Sequence, residues 1–176
     1  MPETLVHPPR TILEVWQNLP EGTLCQLIND TLIISPSPIT VHQMVLNEIN
    51  VEISIFLRKK KIGKVFISPY DVHFSRQNIF QPDLLFIKNE NLHKIKSNGL
   101  FGSPDLIVEV LSPSTSHLDL DEKKLIYERY GVQEYFIIDP NSKSVISFYL
   151  VNAEYEEQEI TNGKIKSLLL NTSINF

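Results

Sequence analysis

The sequence predicts a mixed α/β (α+β) protein built around a central sheet, and two observations carry that expectation. Short runs rich in β-branched and aromatic residues recur along the chain, bounded by Pro, Gly, Asn and Ser. They are interleaved with helical segments, the longest of which carries apolar residues at helical spacing.

Taken in order, residues 12–19 form a short helix. Residues 24–29 and 31–35 form two strands around Asn29-Asp30, a good tight-turn pair. Ser35-Pro36-Ser37-Pro38 ends that hairpin, and Thr40 is placed to cap a helix over 41–60. Val41, Val45, Ile49, Ile53 and Phe56 give this helix a core face. Strands are expected over 64–68, 72–74 and 83–87. The polar stretch 88–102 reads as a loop. A strand over 105–111 is stopped by Ser112-Pro113-Ser114, and a helix over 119–130 ends at Gly131, which suits a left-handed cap. Strands over 134–139, 144–151, 155–160 and 165–170 complete the chain. There is no internal repeat or linker-like stretch, so one domain over 1–176 is expected.

Composition narrows the function. Apolar residues make up 42% and charged residues 21%, an ordinary globular balance. The net charge of −5 argues against a protein that coats nucleic acid non-specifically. The one compact basic run, Arg58-Lys59-Lys60-Lys61, is best read as a solvated helix end, where cations complement the helix dipole. A single cysteine, Cys25, excludes an intrachain disulfide and points to a reducing compartment. No secretory leader and no membrane-length apolar run is evident, so a soluble cytoplasmic protein is expected.

The chemistry lies in acids within apolar strands. In PDLIVEVLSPST, residues 104–115, alternation puts Asp105, Ile107, Glu109 and Leu111 on one face. Asp105 and Glu109 are roughly 13 Å apart along a strand, too far to share one metal ion. Asp105, at the strand start, fits a solvated or capping role. Glu109 sits mid-run and needs a cation, a metal or a hydrogen-bond donor. A second apolar strand opens with Gln81-Pro82-Asp83. If the two strands are neighbours, Asp83 and Glu109 converge at one sheet edge. Two carboxylates with a backbone carbonyl and waters make a hard oxygen site for Mg²⁺ or Mn²⁺, and nothing has zinc-ligand spacing. On the following helix Asp119, Lys123 and Tyr127 line one stripe at i, i+4, i+8. By composition alone Asp119 and Lys123 read as an exposed helical pair. Glu109 reads equally as a metal ligand or as half of a buried ion pair.

The run Pro104-Asp105-Leu106-Ile107-Val108-Glu109-Val110-Leu111-Ser112-Pro113-Ser114-Thr115 resembles the signature of the Uma-type restriction-endonuclease family, a branch of the PD-(D/E)XK nuclease superfamily. The resemblance continues through Asp119, Lys123, Tyr127, Gly131-Val132, Glu134-Tyr135-Phe136 and Asp139-Pro140. Upstream it takes in Gln81-Pro82-Asp83 and Ser35-Pro36-Ser37-Pro38 with His42, so it covers nearly the whole chain. It implies a restriction-endonuclease-like fold, a central mixed sheet flanked by helices. It implies Mg²⁺- or Mn²⁺-dependent hydrolysis of DNA phosphodiester bonds, with Asp83 and Glu109 as metal ligands and Lys123 as the third catalytic residue. The superfamily's lysine position two residues after the Glu is occupied by Leu111, and the resemblance supplies Lys123 from the helix instead. Asp119, Tyr127, His42 and Gln26 are implied as supporting residues. His42 reads equally as a satisfied structural histidine.

One departure stands out. The family's first hairpin reads Glu-Leu-Ile-Asp-Gly-Glu, whereas here it is Gln26-Leu27-Ile28-Asn29-Asp30-Thr31. Loss of those acids sets up a second expectation, a nuclease fold that binds nucleic acid or protein without cutting. A glycosidase, the other use of paired acids, is disfavoured by the adjacent lysine and the lack of an aromatic sugar platform. DNA is the expected partner. An enzyme that cuts both strands of a duplex is expected to be a two-fold dimer.

Overall fold

The computed structural model describes residues 8–113 and 116–176, with the side chain of His117 excepted. The leaderless reading of the N-terminus falls largely, and those of Ser114 and Thr115 wholly, outside these residues.

The elements run α1 (Ile12–Gln17), β1 (Cys25–Ile28), β2 (Thr31–Ile34), α2 (Thr40–Lys60), β3 (Gly63–Ile67), β4 (Val72–His73), β5 (Ile79–Phe80) and β6 (Leu84–Lys88). A 3₁₀ helix (Asn89–Lys94), β7 (Ile95–Lys96), β8 (Gly99–Phe101) and β9 (Leu106–Val110) follow. Then come α3 (Ser116–Leu120), α4 (Glu122–Arg129), β10 (Glu134–Ile138), β11 (Ser144–Val151), β12 (Glu154–Glu157), β13 (Thr161–Asn162), β14 (Lys164–Ser167) and β15 (Thr172–Asn175).

The central sheet is mixed, in the order β12-β11-β10-β9-β6-β3, with β13 paired to β11. In it β9 pairs parallel with β10 and antiparallel with β6. A second sheet, β2-β1-β5-β4-β8-β7, and the hairpin β14-β15 accompany it.

Alternation along the central strands builds two cores. Leu84, Phe86, Leu106, Val108, Val110, Phe136 and Ile138 meet Val45, Leu46, Ile49, Ile53 and Leu57 of α2. Leu85, Ile87, Ile107 and Ile137 face the other way, onto Val72, Phe80 and Leu100 of the second sheet and Ile126 and Tyr127 of α4. Burial on both faces explains why these strands read as unbroken apolar runs. It also decides where Glu109 points: it shares the parity of Ile107 and so faces α4 and the second sheet.

Several local expectations are corrected. Thr40 is the first residue of α2 rather than its cap; Ile39 holds the cap position without a side-chain hydrogen bond. The 88–102 segment is not a loop but the 3₁₀ helix, β7 and β8, and pairing to β4 supplies the order that its polar sequence conceals. The expected 119–130 helix starts earlier and breaks at Asp121, whose φ −116° and ψ −81° leave the helical region. Elsewhere the turn chemistry holds. Asn29 and Asp30 take φ of 47° and 61°, the left-handed pair a two-residue hairpin turn demands. Gly131 closes α4 at φ +79°.

Candidate functional site

Asp83 immediately precedes β6, and the β6–β9 register sets Leu84 opposite Val108, which brings Asp83 beside Glu109. The two acids are locked through main-chain amides. Asp83 N–H donates to Glu109 Oε2 at 3.1 Å, and Val110 N–H donates to Asp83 Oδ2 at 2.8 Å. His42, in the first turn of α2, places Nε2 3.0 Å from the same Asp83 oxygen. Its Nδ1 is buried with no partner among the described residues.

On the other side, α4 supplies Lys123 and Tyr127. Lys123 Nζ donates to Glu109 Oε1 at 2.9 Å, and the Tyr127 hydroxyl donates to that oxygen at 2.8 Å. Lys123 Nζ also lies 2.8 Å from Asp119 Oδ1, an ion contact poorly aligned for a hydrogen bond. Asp119 and Lys123 are therefore not the exposed pair that composition suggested: both are buried. The stripe survives the break at Asp121 because Tyr135 OH donates to the Asp119 carbonyl at 2.9 Å and holds α3 against β10. The sequence gave no sign of that role for Tyr135, since a buried strand tyrosine is commonplace.

Burial sets the electrostatics. Desolvation pushes the Glu109 carboxyl up to about 7, against the pull of Lys123 and with the help of the Asp119 and Asp83 charges. Asp119 is raised by burial too, with Lys123 opposing. Burial alone would lower Lys123, but the Asp119 and Glu109 charges overcome it, so Lys123 is firmly cationic. Burial likewise opposes a charge on His42, yet the hydrogen bond and charge of Asp83 hold its pKa above the ordinary value. Tyr127 is driven well upward by burial and stays a neutral donor.

These groups border a cavity of about 530 Å³, lined by Gln26, His42, Asp83, Glu109, Asp119 and Lys123 and walled by Ser35 to Ile39. The structure thus brings together all of the expected site residues, with Tyr127 just behind Glu109. Gln26 is committed elsewhere: its Oε1 accepts from Gln81 N–H at 3.1 Å. Gln81 in turn donates to Asp71 Oδ1 at 2.9 Å, a side-chain relay across β1, β5 and β4 of the second sheet that had no sequence signal. Asp105 is capping and not solvated. It is 3% exposed and accepts from Lys88 N–H and Asn91 Nδ2 at the far end of β9.

The donor set suits a hard divalent cation. Three carboxylates, Asp83, Glu109 and Asp119, answer to one permanent ammonium, leaving the pocket short of positive charge. Among the described residues no three His, Cys, Asp or Glu side chains converge into a ready cage. Remaining ligands would be waters and carbonyls, as is usual for Mg²⁺ and unlike zinc.

A family profile described as Uma2, putative restriction endonuclease, matches residues 13–174. The chain belongs to the Uma2 family. A search among curated proteins finds no match. Among solved structures, the chain is similar to a protein from Anabaena variabilis ATCC 29413, described as a putative nuclease belonging to DUF820. The two are 22% identical, covering 85% of this chain and 84% of that one, with a TM-score of 0.70. At that identity the likeness speaks for the fold, and it agrees with the restriction-endonuclease-like architecture expected of a Uma2 chain. No helix among the described residues is long and apolar enough to cross a membrane.

Proposed function

We propose that this Uma2 chain is a metal-dependent nuclease that hydrolyses DNA phosphodiester bonds at Asp83, Glu109 and Lys123. The observation that carries the reading is the placement of a buried, cation-poor acid cluster on the wall of an open cavity. A perturbed acid set in a cleft together with a specific charge partner is a recognised feature of catalytic sites.

Asp83 and Glu109 would hold Mg²⁺ or Mn²⁺, which supplies Lewis-acid stabilisation of the phosphate when bound. Lys123, kept cationic by two carboxylates, offers a fixed positive charge to the oxyanion that develops on phosphorus. His42 fixes the Asp83 carboxylate from one side and the Val110 amide fixes it from the other. Tyr127 and Lys123 together hold Glu109 Oε1 in place. The cluster is thus positioned before substrate arrives, which is what electrostatic catalysis requires.

The test is cleavage of single- and double-stranded DNA with Mg²⁺, Mn²⁺ or chelator, using wild type and Asp83→Asn. Metal-dependent cleavage that falls by about a hundred-fold or more in the variant supports the reading. Calorimetric titration should show metal binding that Asp83→Asn weakens. Absence of metal binding both with and without DNA would transfer the assignment to a non-cutting binding module. Activity that survives chelation would point to another hydrolase. A two-fold dimer belongs to the same proposal, and light scattering that finds only a 20.3 kDa species at high concentration would remove it.

A further inference from the structure

A second cavity, of about 460 Å³, opens on the outer face of the second sheet and takes no part in the acid cluster. The sheet register builds its floor. Ile79 of β5, His73 of β4 and Phe101 of β8 are direct cross-strand neighbours, so their side chains form one row. Above the row, α1 contributes Trp16. The His73 and Phe101 rings stack at 4.2 Å and 6°, and Trp16 meets His73 edge-on at 5.6 Å. Phe101 is nonetheless 43% exposed: His73 covers one of its faces, and the rest of the ring is open.

The polar groups differ in access. His73 Nε2 is buried without a hydrogen-bond partner among the described residues. Asn98 and Arg76, both exposed, complete the rim. The platform is rigid. Leu100 N–H donates to Asp71 O at 2.9 Å and Gly102 N–H to His73 O at 3.0 Å, which clamps Phe101 from both sides. Gly99 permits this approach, since a Cβ there would sit 2.5 Å from the Asp71 carbonyl.

We propose that this pocket binds an unpaired nucleobase, stacked on the open face of Phe101 and hydrogen-bonded at its edge by Asn98, with Arg76 taking the attached phosphate. A flat heterocycle with donors and acceptors round its rim matches an open aromatic face bordered by an amide and a guanidinium. The proposal deepens the nuclease reading and rests on it for the choice of a nucleic-acid ligand. The two sites are joined by one segment of chain: Ile79 lines this pocket, and Gln81 and Asp83 line the other. That separation of four residues spans about 13 Å at most, or about four base steps of stacked strand.

Trp16 is the sole tryptophan and lines the pocket, so its fluorescence reports on occupancy. The experiment titrates full-length protein, in chelator, with deoxyadenosine monophosphate and separately with a short single-stranded oligodeoxyadenylate. Saturable quenching is expected, weakened about ten-fold by Phe101→Leu, as loss of one stacking platform predicts. Arg76→Ala, at an exposed position, is expected to weaken binding and reduce its salt dependence. Equal affinity for both probes identifies a free-nucleotide pocket, and preference for the oligonucleotide identifies a strand subsite. Either result supports nucleobase recognition. No quenching by either probe, or quenching indifferent to Phe101→Leu, overturns it. Because no cleavage is measured, quenching that persists in Asp83→Asn separates this outcome from the fate of the nuclease reading.

Discussion

Asp83 and Glu109 hold each other through the backbone: the Asp83 amide donates to Glu109 at 3.1 Å, and the amide following Glu109 donates to Asp83 at 2.8 Å. Each carboxylate thus has a main-chain donor beside its side-chain partners, His42 for Asp83 and Lys123 with Tyr127 for Glu109. The acid pair is therefore as rigid as the sheet that carries it, and the predictions below follow from that arrangement.

The first concerns pH. The Glu109 carboxyl is raised in the folded state to about 7 from 4.5, chiefly by burial. A raised acid contributes its full stability below the unfolded value and loses it as pH climbs through the folded one. Wild type in chelator should therefore lose stability between pH 4.5 and 7 relative to Glu109→Gln. Thermal melts at pH 5 and pH 8 check this: the difference between the two proteins should shift in the variant's favour at the higher pH. If that difference is the same at both pH values, the raised carboxyl is excluded.

Lys123→Met should be strongly destabilising at neutral pH, by about 3–5 kcal/mol, because Glu109 and Asp119 are left buried without a counter-charge. The loss should shrink in acid, where both carboxyls can take protons. Urea unfolding at pH 5 and pH 8 reads this directly. An equal loss at both pH values would mean that packing, and not charge, is what Lys123 provides.

Tyr127→Phe keeps the ring contacts with Phe74, Phe80 and Tyr135 and removes only the hydroxyl that donates to Glu109. We expect a cost of about 1 kcal/mol in chemical denaturation. Metal affinity should change far less than in Asp83→Asn, and calorimetry on the two variants provides the comparison.

Glu134→Ala tests an acid outside the site. Its carboxylate accepts from Ser167 OH at 2.6 Å and from the amides of Leu168 and Leu169 at 2.7 and 2.8 Å, tying the β14-β15 hairpin to β10. Removing it leaves the buried Ser167 hydroxyl and two part-buried amides without their acceptor, at about 1–3 kcal/mol for the buried donor and less for the amides. Amide exchange over residues 164–175 should accelerate, while exchange in β9 stays slow.

The central strands and α2 were legible in the sequence because two-sided burial and a 3.6 period leave strong apolar patterns. Asp83, Glu109 and Lys123 drew notice in the sequence as acids in apolar strands and a lysine on a helical stripe, the family resemblance joined them, and the structure sets them side by side. The burial of Asp119 and Lys123 was not legible, since an i, i+4 pair looks the same in water and in a pocket. Residues 95–101 were hidden for another reason: β8 owes its order to pairing with β4, and β7 to pairing with β8, not to their own propensities. The cap of α2 moved from Thr40 to Ile39 because chain entry from the Pro-rich segment set the boundary, not a side-chain oxygen.

Glu109 lies on β9 with parity toward α4, and the opposite face of that strand meets only the apolar wall of α2. A slip of one residue between β6 and β9 would turn the carboxylate into that wall and leave Lys123 facing a hydrocarbon. The acid thus proofreads assembly of the sheet. Any chain that carries the assembled acid cluster has already zipped its strands correctly, and a misaligned chain loses the cluster by the same error that makes it unstable.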